Sequence, residues 1–144
     1  MTFIKKAFCA LALVSLAACG GMMGGGSSGG GKSVNVSLSP AEEVPPASSA
    51  GSGRGSFTIG ADGAVSGSVS TTGVQGTMAH IHRGAKGQNG PVVVPLVKNG
   101  DTYSAPPGAK LNEAQLKDFR AGNLYVNVHS DRYKGGEVRG QLNP

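Results

Sequence analysis

The stretch Gly55-Ser56-Phe57-Thr58-Ile59-Gly60-Ala61-Asp62-Gly63-Ala64-Val65-Ser66-Gly67-Ser68-Val69 decides the fold. Phe57 and Ile59 alternate with small polar residues, the two-residue period of a half-buried strand. Asp62-Gly63 supplies the positive φ angles that a tight hairpin turn needs. Val65–Val69 is then the returning strand. The segment reads as an antiparallel hairpin, and the chain on either side repeats the same pattern.

Upstream, Ser33–Ser39 sets Val34, Val36 and Leu38 against Ser and Asn, a further half-buried strand. The two prolines of Ala41-Glu42-Glu43-Val44-Pro45-Pro46 exclude a central strand and favour an extended edge or a connection. Glu42 and Glu43 read there either as acidic contacts or as part of a solvated loop. Ser48–Gly55 is small and polar, a loop.

Downstream, Thr71–Gly76 is a loop and Thr77–His82 a strand. Arg83–Pro91 holds three glycines and Asn89 and reads as a loop. Val92–Val97 is a short apolar strand, Asn99–Asp101 a turn, and Thr102–Ala105 another strand. Leu111–Gly122 is the one helix. Asn112 is its N-cap, Gln115 completes a capping box, Leu111 and Leu116 form a hydrophobic staple, and Gly122 ends it. Leu116 and Phe119 face the sheet. Asn123–Ser130 and Glu137–Leu142 are the last strands, separated by a loop. Strand does not alternate with helix, so a parallel sheet is excluded. The expected fold is all-β: an antiparallel Greek-key β-sandwich or barrel of about seven or eight strands with one short helix.

The N-terminus carries different signals. Lys5 and Lys6 precede an apolar run, Ala7–Ala18, too short to span a bilayer comfortably. It ends Leu16-Ala17-Ala18-Cys19, which resembles the bacterial lipobox. That resemblance implies a signal peptide over residues 1–18, cleavage before Cys19, and a lipid on Cys19. With Gly20 next, it implies sorting to the outer membrane, so the protein is expected to be extracytoplasmic, in the periplasm or at the cell surface. Residues 19–32 form a Gly/Ser-rich tether that cannot bury a core. One domain remains, over residues 33–144. It has no cysteine, hence neither disulfide nor thiolate ligand.

The full chain has 13 Lys+Arg, 8 Asp+Glu and a formal net charge of +5. Loss of Lys5 and Lys6 with a signal leaves about +3, with the basic residues scattered. No nucleic-acid patch is present. Glycine-rich segments lack the Lys-Ser/Thr helix start of a phosphate loop, and no serine lies in a Gly-x-Ser-x-Gly elbow.

The three histidines carry the chemistry. His80 and His82 lie two apart on one strand face. His129 shares its face with Tyr125 and Asn127, opposite Leu124, Val126 and Val128, so it points away from the core. Three imidazoles suit copper, which heads the affinity order among divalent first-row metals; zinc accepts the same set. Met78 is on the face of His80, a candidate thioether ligand or a core residue. Glu137 and Arg139 lie on the polar side of the last strand. A carboxylate at Glu137 can orient an imidazole, or form a surface pair with Arg139. Arg139 or Arg83 can attract a small anion, and Tyr125 can line the site or simply pack.

Four phrases together resemble the CHRD domain, a β-rich module of exported bacterial proteins: Glu43-Val44-Pro45-Pro46; His80-Ile81-His82-Arg83-Gly84 with Asn89-Gly90-Pro91-Val92-Val93; Tyr125-Val126-Asn127-Val128-His129; and Gly135-Gly136-Glu137-Val138-Arg139-Gly140-Gln141-Leu142. The resemblance covers Ser33 to Leu142. The His-x-His strand and the later Val-x-His are also similar to the copper/zinc superoxide dismutases. This chain lacks that family's zinc ligands, disulfide cysteines and fourth copper histidine, so the similarity implies at most a copper-only site at His80, His82 and His129.

The resulting expectation is a lipid-anchored monomer or weak dimer that binds one copper. It would either dismute superoxide, with Arg139 catalytic, or carry copper without turnover. A cell-surface interaction module without metal is the third reading.

Overall fold

The computed structural model describes residues 30–144. The signal over 1–18, the lipidated Cys19 and most of the 19–32 tether lie outside the described residues. Among the described residues, no helix is long and apolar enough to cross a membrane.

Nine strands form two antiparallel sheets. They are β1 (Lys32–Leu38), β2 (Ser52–Ile59), β3 (Val65–Thr72), β4 (Gly76–Arg83), β5 (Val92–Pro95), β6 (Val97–Asn99), β7 (Thr102–Ser104), β8 (Leu124–Ser130) and β9 (Val138–Leu142). One sheet has the order β1-β2-β3-β7-β6 and the other β5-β4-β8-β9. The fold is the expected all-β sandwich, with one more strand than the upper expectation. The extra strand comes from Val92–Val97. This apolar run is two strands: β5 pairs with β4, and β6 pairs with β7 in the opposite sheet. The chain changes sheets at Pro95-Leu96, where Leu96 N still donates to Ala79 O at 3.0 Å.

The hairpin is as read. Ile59 pairs with Val65 and Phe57 with Gly67, and Gly63 takes φ 89° in the turn. The strand β2 begins at Ser52, so part of the expected Ser48–Gly55 loop belongs to the sheet. The helix α1 spans Glu113–Arg120. Its capping box closes through Gln115 N to Asn112 Oδ1 and Asn112 N to Gln115 Oε1, both 2.9 Å.

The core lies between the sheets. Val34, Val36, Leu38, Phe57, Ile59, Val69 and Tyr103 face Ala79, Ile81, Val94, Leu124, Val126, Val128, Val138 and Leu142. Leu111 and Phe119 from the helix region join it. At one corner the sheets are stitched by main chain: Ser39 N donates to Arg139 O at 3.0 Å and Arg139 N to Ser39 O at 3.1 Å. No side chain is tolerated there, because a Cβ on Gly140 would lie 2.4 Å from Ser37 O.

The outer face of the second sheet departs from simple alternation. Every residue of β8 is buried, not just Leu124, Val126 and Val128. Three covering segments account for this: residues 40–48, the loop 84–91 and the loop 131–137. They hold polar side chains of the outer face away from water, and the candidate site lies beneath them.

A candidate metal centre under three loops

The strands β4 and β8 are direct neighbours, so the two histidine strands meet. Met78 pairs with His129, His80 with Asn127 and His82 with Tyr125. Directly opposed residues share a face and stand about 5 Å apart at Cβ. On β9, Arg139 pairs with Asn127 and Gln141 with Tyr125, which extends the same polar layer.

The three imidazoles converge. Ring centroids are 5.4 Å apart for His80 and His82, 5.0 Å for His80 and His129, and 6.1 Å for His82 and His129. Each ring offers one nitrogen in a group whose members all lie within 4.8 Å of one another, and such a cluster can hold a metal ion. His82 and His129 are buried, and His80 is partly covered.

Main-chain carbonyls orient two of the rings. His82 Nδ1 lies 2.9 Å from Gly90 O, and His129 Nδ1 lies 2.9 Å from Lys134 O. A carbonyl only accepts, so in each neutral ring Nδ1 carries the hydrogen and Nε2 keeps its lone pair. His82 Nε2 is buried without a hydrogen-bond partner. His129 Nε2 lies 3.1 Å from His80 Nδ1. Two nitrogens bound tetrahedrally at about 2.0–2.1 Å from one zinc would stand about 3.3 Å apart, so the hydrogen-bonded pair is also spaced closely enough to share an ion.

The electrostatics favour the neutral form of His80 and His82. Burial pushes the His80 imidazole down to about 4, helped by repulsion from His129 and His82. Burial also lowers His82, against the opposing effect of the Gly90 carbonyl. Neutral imidazole is the form that binds metal.

The supporting residues differ in part from the sequence reading. Glu137 does not orient an imidazole: its Oε1 accepts from Ser49 Oγ at 2.6 Å, and carbonyls hold the rings instead. Tyr125 is buried and stacks on His82 with centroids 4.9 Å apart and planes 4° from parallel. Its hydroxyl oxygen accepts from Gly90 N at 3.2 Å, so it fixes the residue whose carbonyl fixes His82. Met78 is not a core residue; it is 51% exposed, at the open end of the histidine row.

Arg139 occupies a different place from an anion-facing cation. It is 1% exposed, with its guanidinium 3.4 Å above the Tyr125 ring. Since β8 lies between β4 and β9 and the first ring face is taken by His82, Arg139 covers the other face. Its nitrogens donate to Ala85 O at 3.1 Å, Gln88 O at 2.8 Å and Asn89 Oδ1 at 3.2 Å. Arg139 thus fastens the loop that carries Gly90. Arg83 is likewise engaged, with Asp118 at 2.7 Å.

Two further residues join the site: Asn127, which the sequence reading did not assign, and Glu43, which it left as either an acidic contact or part of a solvated loop. Asn127 is the cross-strand partner of His80, donates Nδ2 to Gly135 O at 3.3 Å, and lies with Glu43 against Gly136. Glu43 is not solvated: it is 3% exposed, and burial pushes its carboxyl up to about 7, opposed by Asn127, Arg139 and the Val44 amide. The phrase Glu43-Val44-Pro45-Pro46 was the available signal for Glu43. For Asn127, the signal was the face it shares with His129.

No curated protein and no solved structure matches the chain. The CHRD domain family model matches residues 34–142, nearly all of the folded part, and the chain belongs to the CHRD domain family.

Proposed function

We propose that this CHRD domain binds one copper ion through His80, His82 and His129, in a protein exported and anchored to a membrane by a lipid on Cys19. The observation that carries the reading is His82 Nε2, a buried nitrogen with no partner, aimed by a carbonyl behind it. Leaving such an atom unpaired costs about 1–3 kcal/mol, and a metal ion removes that cost. The Lys134 carbonyl orients His129 as Gly90 orients His82, but His129 Nε2 has a partner. His80 Nδ1–H donates to His129 Nε2. Binding through His80 Nδ1 requires only that this proton move off or shift to Nε2.

Copper is the preferred ion because neutral imidazoles serve both of its oxidation states and Cu(II) outranks zinc at nitrogen sites. Binding and carriage need no more than this site. Superoxide dismutation is the second reading, favoured by the partial cover of His80 together with the ligand position that three protein ligands leave open. Arg139 then acts by holding the loop and not by meeting the anion.

The test is a Cu(II) titration of purified protein followed by electron paramagnetic resonance. One copper with nitrogen hyperfine structure is expected, with affinity lowered about 100-fold or more in His82→Ala. An absence of binding at micromolar copper would leave only the interaction-module reading. A superoxide-decay rate no better with copper-loaded than with metal-free protein would remove dismutation. Retention of Cys19→Ser in the membrane fraction would remove the lipid anchor.

A further inference from the structure

We propose that Met78 is a fourth ligand that closes the site over monovalent copper and makes it favour Cu(I) over Zn(II). This rests on the three-histidine reading and adds a selectivity that the histidines alone do not supply.

The argument begins with placement. Met78, His80 and His82 occupy alternate positions of β4, and the intervening Ala79 and Ile81 are each 1% exposed in the core. Met78 therefore stands on the outer face with the imidazoles. Its cross-strand partner is His129, which places their Cβ atoms about 5 Å apart. A methionine has three rotatable bonds and can carry its sulfur across that gap.

Exposure is the second observation. The covering loops bury His82 and His129 but leave Met78 51% exposed. It belongs to neither the core cluster nor the residues packed against it. A large apolar side chain gains nothing from water at that position, while an uncovered thioether can swing over an ion as it enters.

Chemistry selects the ion. Thioether sulfur is a soft donor that selects Cu(I), whereas zinc sites use imidazole, thiolate and carboxylate. The domain contains no thiolate, so a methionine is the soft donor open to it.

The test compares Met78→Leu with the parent in the full chain. Both carry Cys9→Ser and Cys19→Ser, so that no thiol competes. Cu(I) affinity is measured against a chromophoric chelator, Zn(II) affinity by competition with a zinc dye, and the copper environment by X-ray absorption. Met78→Leu is expected to lose about tenfold or more in Cu(I) affinity and to lose a sulfur scatterer, with Zn(II) affinity unchanged within about twofold. Equal Cu(I) affinity in parent and variant, or parallel loss of both ions, overturns the role of Met78 while the histidine site stands. A parent that binds neither ion overturns both.

Discussion

Replacing Glu43 by Gln should stabilise the metal-free protein at pH 8 and leave it nearly unchanged at pH 4. The carboxyl is 3% exposed and its Oε1 has no hydrogen-bond partner. Removal from water raises its pKa from 4.5 to about 7, and Asn127, Arg139 and the Val44 amide only partly offset this. A group whose pKa is raised by folding contributes its stability in the neutral form. That contribution is complete below 4.5 and is lost as pH rises through about 7. At about 1.4 kcal/mol per pH unit, the interval amounts to about 3 kcal/mol. Relaxation of the loops around a buried ion reduces the expected gain at pH 8 to about 1–3 kcal/mol. Urea melts of both proteins at pH 4 and pH 8 measure it. His80 shifts in the opposite sense, since its lowered pKa makes the fold less stable as pH falls from 6.5 toward about 4. That effect is common to both proteins and cancels in their difference. A Glu43→Gln protein no more stable than its parent at pH 8, or differing equally at both pH values, would refute the reasoning.

Two further substitutions separate the site from the scaffold. In Gly90→Ala the new Cβ would lie 1.7 Å from Arg83 O, so the main chain carrying the His82 acceptor must move. It should cost about 1–3 kcal/mol in urea melts and about 10- to 100-fold in copper affinity; unaltered affinity would deny the Gly90 carbonyl its orienting role. Asn112→Ala removes one arm of the capping box and should cost about 1 kcal/mol with copper affinity unchanged. A loss of affinity there would mean that the helix and the site are coupled.

What the sequence disclosed was local. Asp62-Gly63 and the Asn112–Gln115 box each settle their own backbone within four residues, and the structure reproduces both. The period of two placed His80 and His82 on one face for the same reason. What lay hidden was decided by distant partners. The adjacency of β4 and β8 joins residues 49 apart in the chain, as at His80 and His129. The division of Val92–Val97 depends on which sheet each half meets. The burial of Arg139 and Glu43 was hidden too. Alternation along a strand tells which residues avoid the core, but not whether a loop will later cover them. A cation on a polar strand face therefore reads as solvent-facing until the Ala85, Gln88 and Asn89 acceptors arrive from another segment.

That covered face has a further consequence for the metal reading. Among the described residues, Glu43 Oε1, Asn127 Oδ1 and His82 Nε2 are buried side-chain atoms without a hydrogen-bond partner. Glu43 and Asn127 crowd the same spot beside Gly136, and Asn127 is the cross-strand partner of His80. Unsatisfied buried groups are normally scarce and are removed by substitution unless something requires them. A core face of apolar residues would have been more stable than this one. On the proposed reading, a cation supplies what the chain withholds. It takes the lone pair of His82 directly and favours the ionised form of Glu43, which costs stability while the site is empty. The polarity of the outer face is then the cost, to the metal-free fold, of keeping a site oriented before its ion arrives. Preorganised ligands do not have to be gathered at the moment of binding, and Arg139, Tyr125 and the two orienting carbonyls maintain that order.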